Sequence, residues 1–152
     1  MSDVQTVVVY TDGACSGNPG AGGWAYRIEW PDGAIEEAAG AEPATTNNRE
    51  ELKAVREALR AIRARIDGDS RWRIVVRTDS LGVINWLTRK WKRNKNLDLF
   101  PTIDPLVDSR VRFEHVRGHS GDPGNDRVDE LAVAAYRELQ QRMGSIAARP
   151  AE

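Results

Sequence analysis

The 152-residue sequence predicts a single α/β domain: a five-stranded mixed sheet, its first three strands antiparallel and its later strands parallel, flanked by helices. Three observations lead there. Periodicity along the chain runs three strands, helix, strand, helix, a basic insert, strand, helix. Pro31-Asp32-Gly33 is a turn signal joining two early strands as an antiparallel hairpin. Helical crossovers separate the later strands, which imposes parallel pairing.

Each element has its own signal. Residues 4–11 are β-branched and aromatic without polar alternation, as expected of a central strand buried on both faces. After a glycine-rich turn, 22–30 and 34–41 flank the hairpin turn. Residues 47–65 form an amphipathic helix whose stripe is Leu52, Val55, Leu59, Ile62 and Ile66, closed by Asp67-Gly68-Asp69. Strand RIVVRTD (73–79) follows, then a short helix over 80–87 with Ser80 as its N-cap. Pro101 and Pro105 leave only a short or broken helix in DLFPTIDPLVD. Residues 111–116 are the last strand, 118–125 a loop and 126–142 the closing helix. Residues 1–142 are thus expected to be one domain, and 143–152 a disordered tail.

Composition narrows the function classes. The chain is 40% hydrophobic and 30% charged, with net charge −1, and no run approaches the roughly 18–20 apolar residues of a membrane span. MSDVQTVVVY lacks the basic region and long apolar segment of a secretory signal, so the expectation is a cytoplasmic monomer with no obligate protein partner. Cys15 is the sole cysteine and His115 and His119 are the only histidines, which excludes a disulfide framework and a Cys/His zinc cage. Any metal must be held by oxygen. Residues 89–95, RKWKRNK, carry five basic side chains and no acid beside Trp86 and Trp91, a local cationic and aromatic footprint.

Four carboxylates stand out. Asp12 and Asp79 close the carboxyl ends of the first and fourth strands, where sites of open α/β sheets lie. On the long helix, Glu51 lies about 60° from the centre of the buried stripe and Glu50 about 160°, so Glu51 is expected on the rim and Glu50 in water. On the closing helix Asp129 lies about 100° from the stripe of Val128, Leu131, Ala132, Ala135 and Leu139, while Asp126 and Glu130 lie near 160°. Four acids converging at one sheet end repel one another unless cations neutralise them, and hard oxygen donors select Mg²⁺ or Mn²⁺. Two such ions about 3.5–4 Å apart are the usual device for phosphodiester displacement.

The motifs YTDGACSGNPGAGGW, TTNNREEL, TDS and VRGHSGDPGNDRVDELA, in this order across essentially the whole chain, resemble the type 1 (cellular) ribonucleases H. The resemblance implies a ribonuclease H-like fold and endonucleolytic cleavage of the RNA strand of RNA/DNA hybrids, leaving 3′-hydroxyl and 5′-phosphate ends. It implies that Asp12, Glu51, Asp79 and Asp129 hold two Mg²⁺ ions, with Mn²⁺ able to substitute, and that His119 is a mobile histidine assisting proton transfer or product release. For the substrate it implies backbone contacts at Gly13, Ala14 and Cys15, minor-groove contacts from Asn18, Asn47 and Asn48, a DNA-phosphate contact at Thr46, and a further contact at Asn125. A protruding basic handle would comprise Trp86, Arg89, Lys90, Trp91 and Lys92. Here the sequence departs from the longer bacterial form: the stretch between Trp91 and Asn96 is too short for an extra handle helix, and position 81 is Leu where some members carry a polar base contact. No hybrid-binding module is expected ahead of the first strand. Two other readings compete: a non-catalytic hybrid- or duplex-binding module, and another nuclease or strand-transfer activity on the same fold. The intact quartet opposes the first; the GNPG loop and the TTNN pair oppose the second.

Overall fold

The computed structural model describes residues 3–147. Five strands form one sheet in the order β3-β2-β1-β4-β5, with β1 (Gln5–Cys15), β2 (Gly20–Glu29), β3 (Ile35–Thr45), β4 (Trp72–Thr78) and β5 (Val111–His115). β1–β2 and β2–β3 pair antiparallel, β1–β4 and β4–β5 parallel, as the sequence predicts. The helices are α1 (Asn47–Ile66), α2 (Leu81–Leu87), the four-residue α3 (Phe100–Ile103) running into a 3₁₀ turn, and α4 (Pro123–Ala147). No helix interrupts residues 88–99, in keeping with the shortness of the basic stretch.

Strand alternation builds a core on each side of the sheet. Val7, Val9, Ile28, Ile74 and Val76 face α1, where the predicted stripe of Leu52, Val55, Leu59, Ile62 and Ile66 meets them. Tyr10 and Ala25 face the other way, against Val128 and Ala132 of α4. The β2–β3 hairpin closes as predicted: Gly33 takes φ +90°, and Asp32 Oδ1 accepts from the Ala34 amide at 2.9 Å.

Two boundaries differ from the sequence reading in ways that matter. β1 does not end at residue 11. Its parallel pairing with β4 stops at Tyr10, but its antiparallel pairing with β2 continues to Cys15, so most of the glycine-rich segment is strand and only residues 16–19 turn. Asp12 therefore sits inside a strand, just beyond the point where β1 and β4 part. α4 starts before Asp126 and runs past Arg142. Asp122 caps it, accepting from the Gly124 and Asn125 amides at 3.0 and 3.1 Å, and Pro123 suits a first helical position. No proline follows until Pro150, and Gly144 alone costs only about 1 kcal/mol. The segment expected to be disordered from 143 is thus helical through Ala147; residues 148–152 lie outside the described residues.

Candidate active site

Asp12 and Asp79 meet because β1 and β4 are parallel neighbours, and α1 brings Glu51 to the same point. One carboxylate oxygen from each of the three lies within 4.8 Å of the others. Asp12 and Glu51 are buried and Asp79 is half-buried. Asp129, half-buried on α4, acts on the cluster through its charge, which bears on Asp12 and Asp79. Asp12, Glu51 and Asp79 therefore converge, with Asp129 beside them.

Their protonation reflects that crowding. Burial, then the charge of Asp79, pushes Asp12 up to about 8. Glu51 stands well above the ordinary carboxylate range for the same reasons: burial first, then the charges of Asp12 and Asp79. Asp79 is raised mainly by burial, against a hydrogen bond from Asn125 and the nearby His119 and His115. An arrangement this unfavourable to its own charge is one that divalent cations would relieve, and its donors are all hard oxygen.

Glu51 gets there because the first turn of α1 lies directly on β1. A Cβ on Gly13 would fall 2.3 Å from the Glu51 amide nitrogen, so the helix start approaches to a distance only glycine permits. This close seating overturns the helical-wheel placement of Glu50 in water. Glu50 is fully buried: the wheel treats the helix as lying on one surface, whereas the bare Gly22 lets β2 close over the second flank of the turn, where a Cβ would come 3.1 Å from Glu50 Cγ. Its nearest cation is Lys53 at 3.7 Å, itself paired with Glu42, and burial raises Glu50 to about 7.

The expected substrate contacts gather around the same helix start. Thr46 is the N-cap, its Oγ1 accepting from the Arg49 amide at 3.3 Å. Asn18, from the β1–β2 turn, accepts from the Asn47 amide at 3.2 Å, which leaves Asn47 and Asn48 exposed at the helix start. Gly13 and Ala14 lie in β1, beside Cys15, whose thiol turns toward the carbonyls of Gly17, Gly20 and Thr45. Arg49 went unnoticed in the sequence. Its guanidinium grips Asp98 with two bonds of 2.9 and 2.8 Å and reaches Asn96 at 3.3 Å, tying α1 to the chain after the basic stretch. Arg-to-Asp pairs 49 residues apart leave no local signal.

The loop between β5 and α4 adds two groups. His119 is exposed and adopts the left-handed φ of +56°. Asn125 is only 2% exposed and stands beside Asp79, whose charged form it favours. His115 was also overlooked: its Nε2 lies 3.2 Å from the Asp79 carbonyl oxygen, a proximity that only the β4–β5 register reveals.

The basic segment projects Trp91 into solvent, 49% exposed, with its ring edge-on to Trp86 at 6.1 Å. Asp104 already binds Arg89 at 3.0 Å and Arg93 at 2.6 Å, and Arg93 also covers the Phe100 ring. Lys90, Lys92 and Lys95 form no ion pair among the described residues.

Comparison with known proteins adds the decisive observation: the RNase H family model matches residues 4–137. The chain belongs to the ribonuclease H family. Within that family it is 45% identical over 137 residues to Ribonuclease H of Thermosynechococcus vestitus, covering 82% of this chain and 84% of the relative. It is 44% identical over 149 residues to Ribonuclease HI of Pseudomonas aeruginosa, covering 91% and 99%. Among solved structures it resembles LC9-RNase H1, a type 1 RNase H, with 34% identity and TM-score 0.73 over 91% of this chain and 75% of that one. It also resembles LC11-RNase H1 solved with an RNA/DNA hybrid, with 26% identity and TM-score 0.75 over 88% and 99%. Ribonuclease H membership and the mixed-sheet fold thus agree with the motif reading.

Proposed function

We propose that this ribonuclease H cleaves the RNA strand of RNA/DNA hybrids at Asp12, Glu51, Asp79 and Asp129, holding two divalent ions, Mg²⁺ with Mn²⁺ as substitute. The hydrolytic reaction on hybrids follows from family membership; the residue roles and metal identity are our reading. The observation that carries it is the meeting of three carboxylate oxygens within 4.8 Å, each on a group whose acidity is depressed by burial and crowding. Two bound cations would supply water activation and stabilisation of the leaving oxygen.

The chain's own residues do the rest. Asp12, at the centre of the cluster, would hold the ions together with Glu51, Asp79 and Asp129. Asn125 holds Asp79 in orientation and favours its charged form. His119, exposed on its loop, is available to exchange a proton with solvent and with the departing product. A hybrid displays 2′-hydroxyls on one strand only, and Asn18, Asn47 and Asn48, with the backbone of Gly13, Ala14 and Cys15, offer short polar groups to read them. Thr46 and the segment of Trp86, Arg89, Lys90, Trp91 and Lys92 would meet the DNA strand.

We further infer a cytoplasmic monomer, an inference resting on composition. No helix among the described residues is long and apolar enough to cross a membrane. Light scattering after size exclusion tests the oligomeric state. Cleavage of end-labelled hybrid, duplex RNA and duplex DNA, with Mg²⁺, Mn²⁺ or chelator, tests the activity. The expected result is metal-dependent cutting of hybrid alone, with 5′-phosphate products. Binding of hybrid without cutting would overturn the catalytic reading in favour of a binding module.

A further inference from the structure

The sheet face opposite α1 is only partly covered. α4 packs across β1, β2 and β3 and leaves the β4–β5 side open. Because Ile74, Val76, Val111 and Phe113 point to the α1 core, alternation puts Arg73, Val75, Arg112 and Glu114 on this open side. A cavity of about 370 Å³ lies there, lined by Thr6, Val75, Ser109 and three arginines, Arg73, Arg110 and Arg112, with no carboxylate among its lining residues.

The three guanidinium groups are not equivalent. Arg110 is committed inward, donating to the Asp108 carboxylate and to the carbonyls of Asp67 and Asp69. Arg73 is exposed and its contacts are main-chain carbonyls, those of Ser70 and Trp72. Arg112 gives one bond of 2.7 Å to Glu114 and keeps 71% of its side chain in solvent. A guanidinium has five N–H donors, so both exposed arginines retain free ones. Arg112 is the register partner of Val75 and Arg73 lies two residues before Val75 on β4, which puts the two arginines' backbones about 8 Å apart on one diagonal. Carboxylates at alternate positions of an extended chain are spaced about 7 Å apart. β5 is also an edge strand, paired on one side only, along which an extended segment can lie.

We propose that this face docks an extended acidic peptide segment of a partner protein, with carboxylates two residues apart on Arg73 and Arg112. The site is separate from the acidic cluster: Arg73 is the second residue of β4 and Asp79 follows its end, about 20 Å away along the strand.

Fluorescence anisotropy with a labelled nonapeptide of alternating glutamate and valine tests this on the full chain. The same peptide with glutamine for glutamate and a nine-nucleotide thymidine strand serve as comparison probes. The glutamate peptide is expected to bind saturably, the glutamine peptide at least tenfold more weakly. Arg73→Glu/Arg112→Glu weakens binding at least tenfold, while Arg60→Glu/Arg142→Glu, equal in charge change, weakens it less than threefold; hybrid cleavage is unchanged in both. Arg73→Gln/Arg112→Gln repeats the loss should charge reversal disturb folding. Equal losses in the two charge-reversal variants, or equal binding of the two peptides, would overturn the proposal. Tighter binding of the thymidine strand through the same arginines would overturn it in favour of a nucleic-acid surface.

Discussion

Gly13 and Glu51 are in backbone contact: a β-carbon on the glycine would lie 2.3 Å from the Glu51 amide nitrogen. That contact sets how deeply α1 sits against β1, and hence where the Glu51 carboxylate lies relative to Asp12. Gly13→Ala must therefore lift the helix start. We expect about 1–3 kcal/mol of destabilisation from overpacking, visible in urea denaturation, and at least a tenfold fall in kcat, since misplacement by an ångström is enough for such losses. Wild-type kcat in Gly13→Ala would show that the contact does not position Glu51.

Glu51→Gln separates chemistry from stability. It should lower hybrid cleavage at least about 100-fold, the scale for loss of one preorganised electrostatic group, while hybrid affinity in filter binding changes less than threefold. Because Glu51 is held in an acid cluster that raises its own proton affinity, the same change should raise the melting temperature of the metal-free protein at pH 8. Full activity in Glu51→Gln would sink the site assignment.

The pH dependence of stability has a determined sign in the absence of metal. Asp12, Glu51, Asp79 and Glu50 are all held above the usual carboxylate range, so between about pH 4 and pH 8 the folded state binds more protons than the unfolded chain. Stability must fall as pH rises through that window. Asp69, Asp98 and Asp108, lowered to about 2 by their arginine partners, act in the opposite sense, but their contribution is complete above pH 4 and is lost only below it. Calorimetry in chelator should show a lower melting temperature at pH 8 than at pH 5, and added Mg²⁺ a larger gain at pH 8. A melting temperature that climbs from pH 5 to 8 in chelator would contradict the buried-acid account.

Asn125→Ala tests a positioning role. Its amide stands beside Asp79 and favours the ionised form, so its removal should shift the acid limb of the kcat pH profile upward and lower kcat about tenfold at pH 6, with less effect at pH 9. A uniform loss at every pH would instead mean that Asn125 acts only by packing.

What was legible in the sequence followed from short-range rules. Strand patterning placed Asp79 at a strand end and Asp12 on the neighbouring strand, although β1 runs on past Asp12 to Cys15, and helical phase separated Glu51 from its neighbours and Asp129 from Asp126 and Glu130. Where tertiary contact decides, the rules failed. Glu50 is buried because two strands with bare glycines close on both flanks of one helical turn, a circumstance a single wheel cannot represent. Asn125 falls beside Asp79 because the Asp122 cap starts α4 earlier than its hydrophobic stripe does. Arg49 and His115 act through partners distant in sequence, so neither has a local signature.

The hold of Asp104 on Arg89 and Arg93 changes how the basic segment counts in solution. Charges already matched within the protein carry little of its own counterion demand and can release few ions from a nucleic-acid backbone. Asp104 carries one negative charge, so of the five cations in residues 89–95 a net of four remains. This segment should therefore contribute a slope of about −3.6 to log K against log salt, where five unmatched cations would give about −4.5. A short handle with an internal acid is in effect a weaker ion exchanger, and hybrid binding should tolerate salt better than the bare run RKWKRNK suggests.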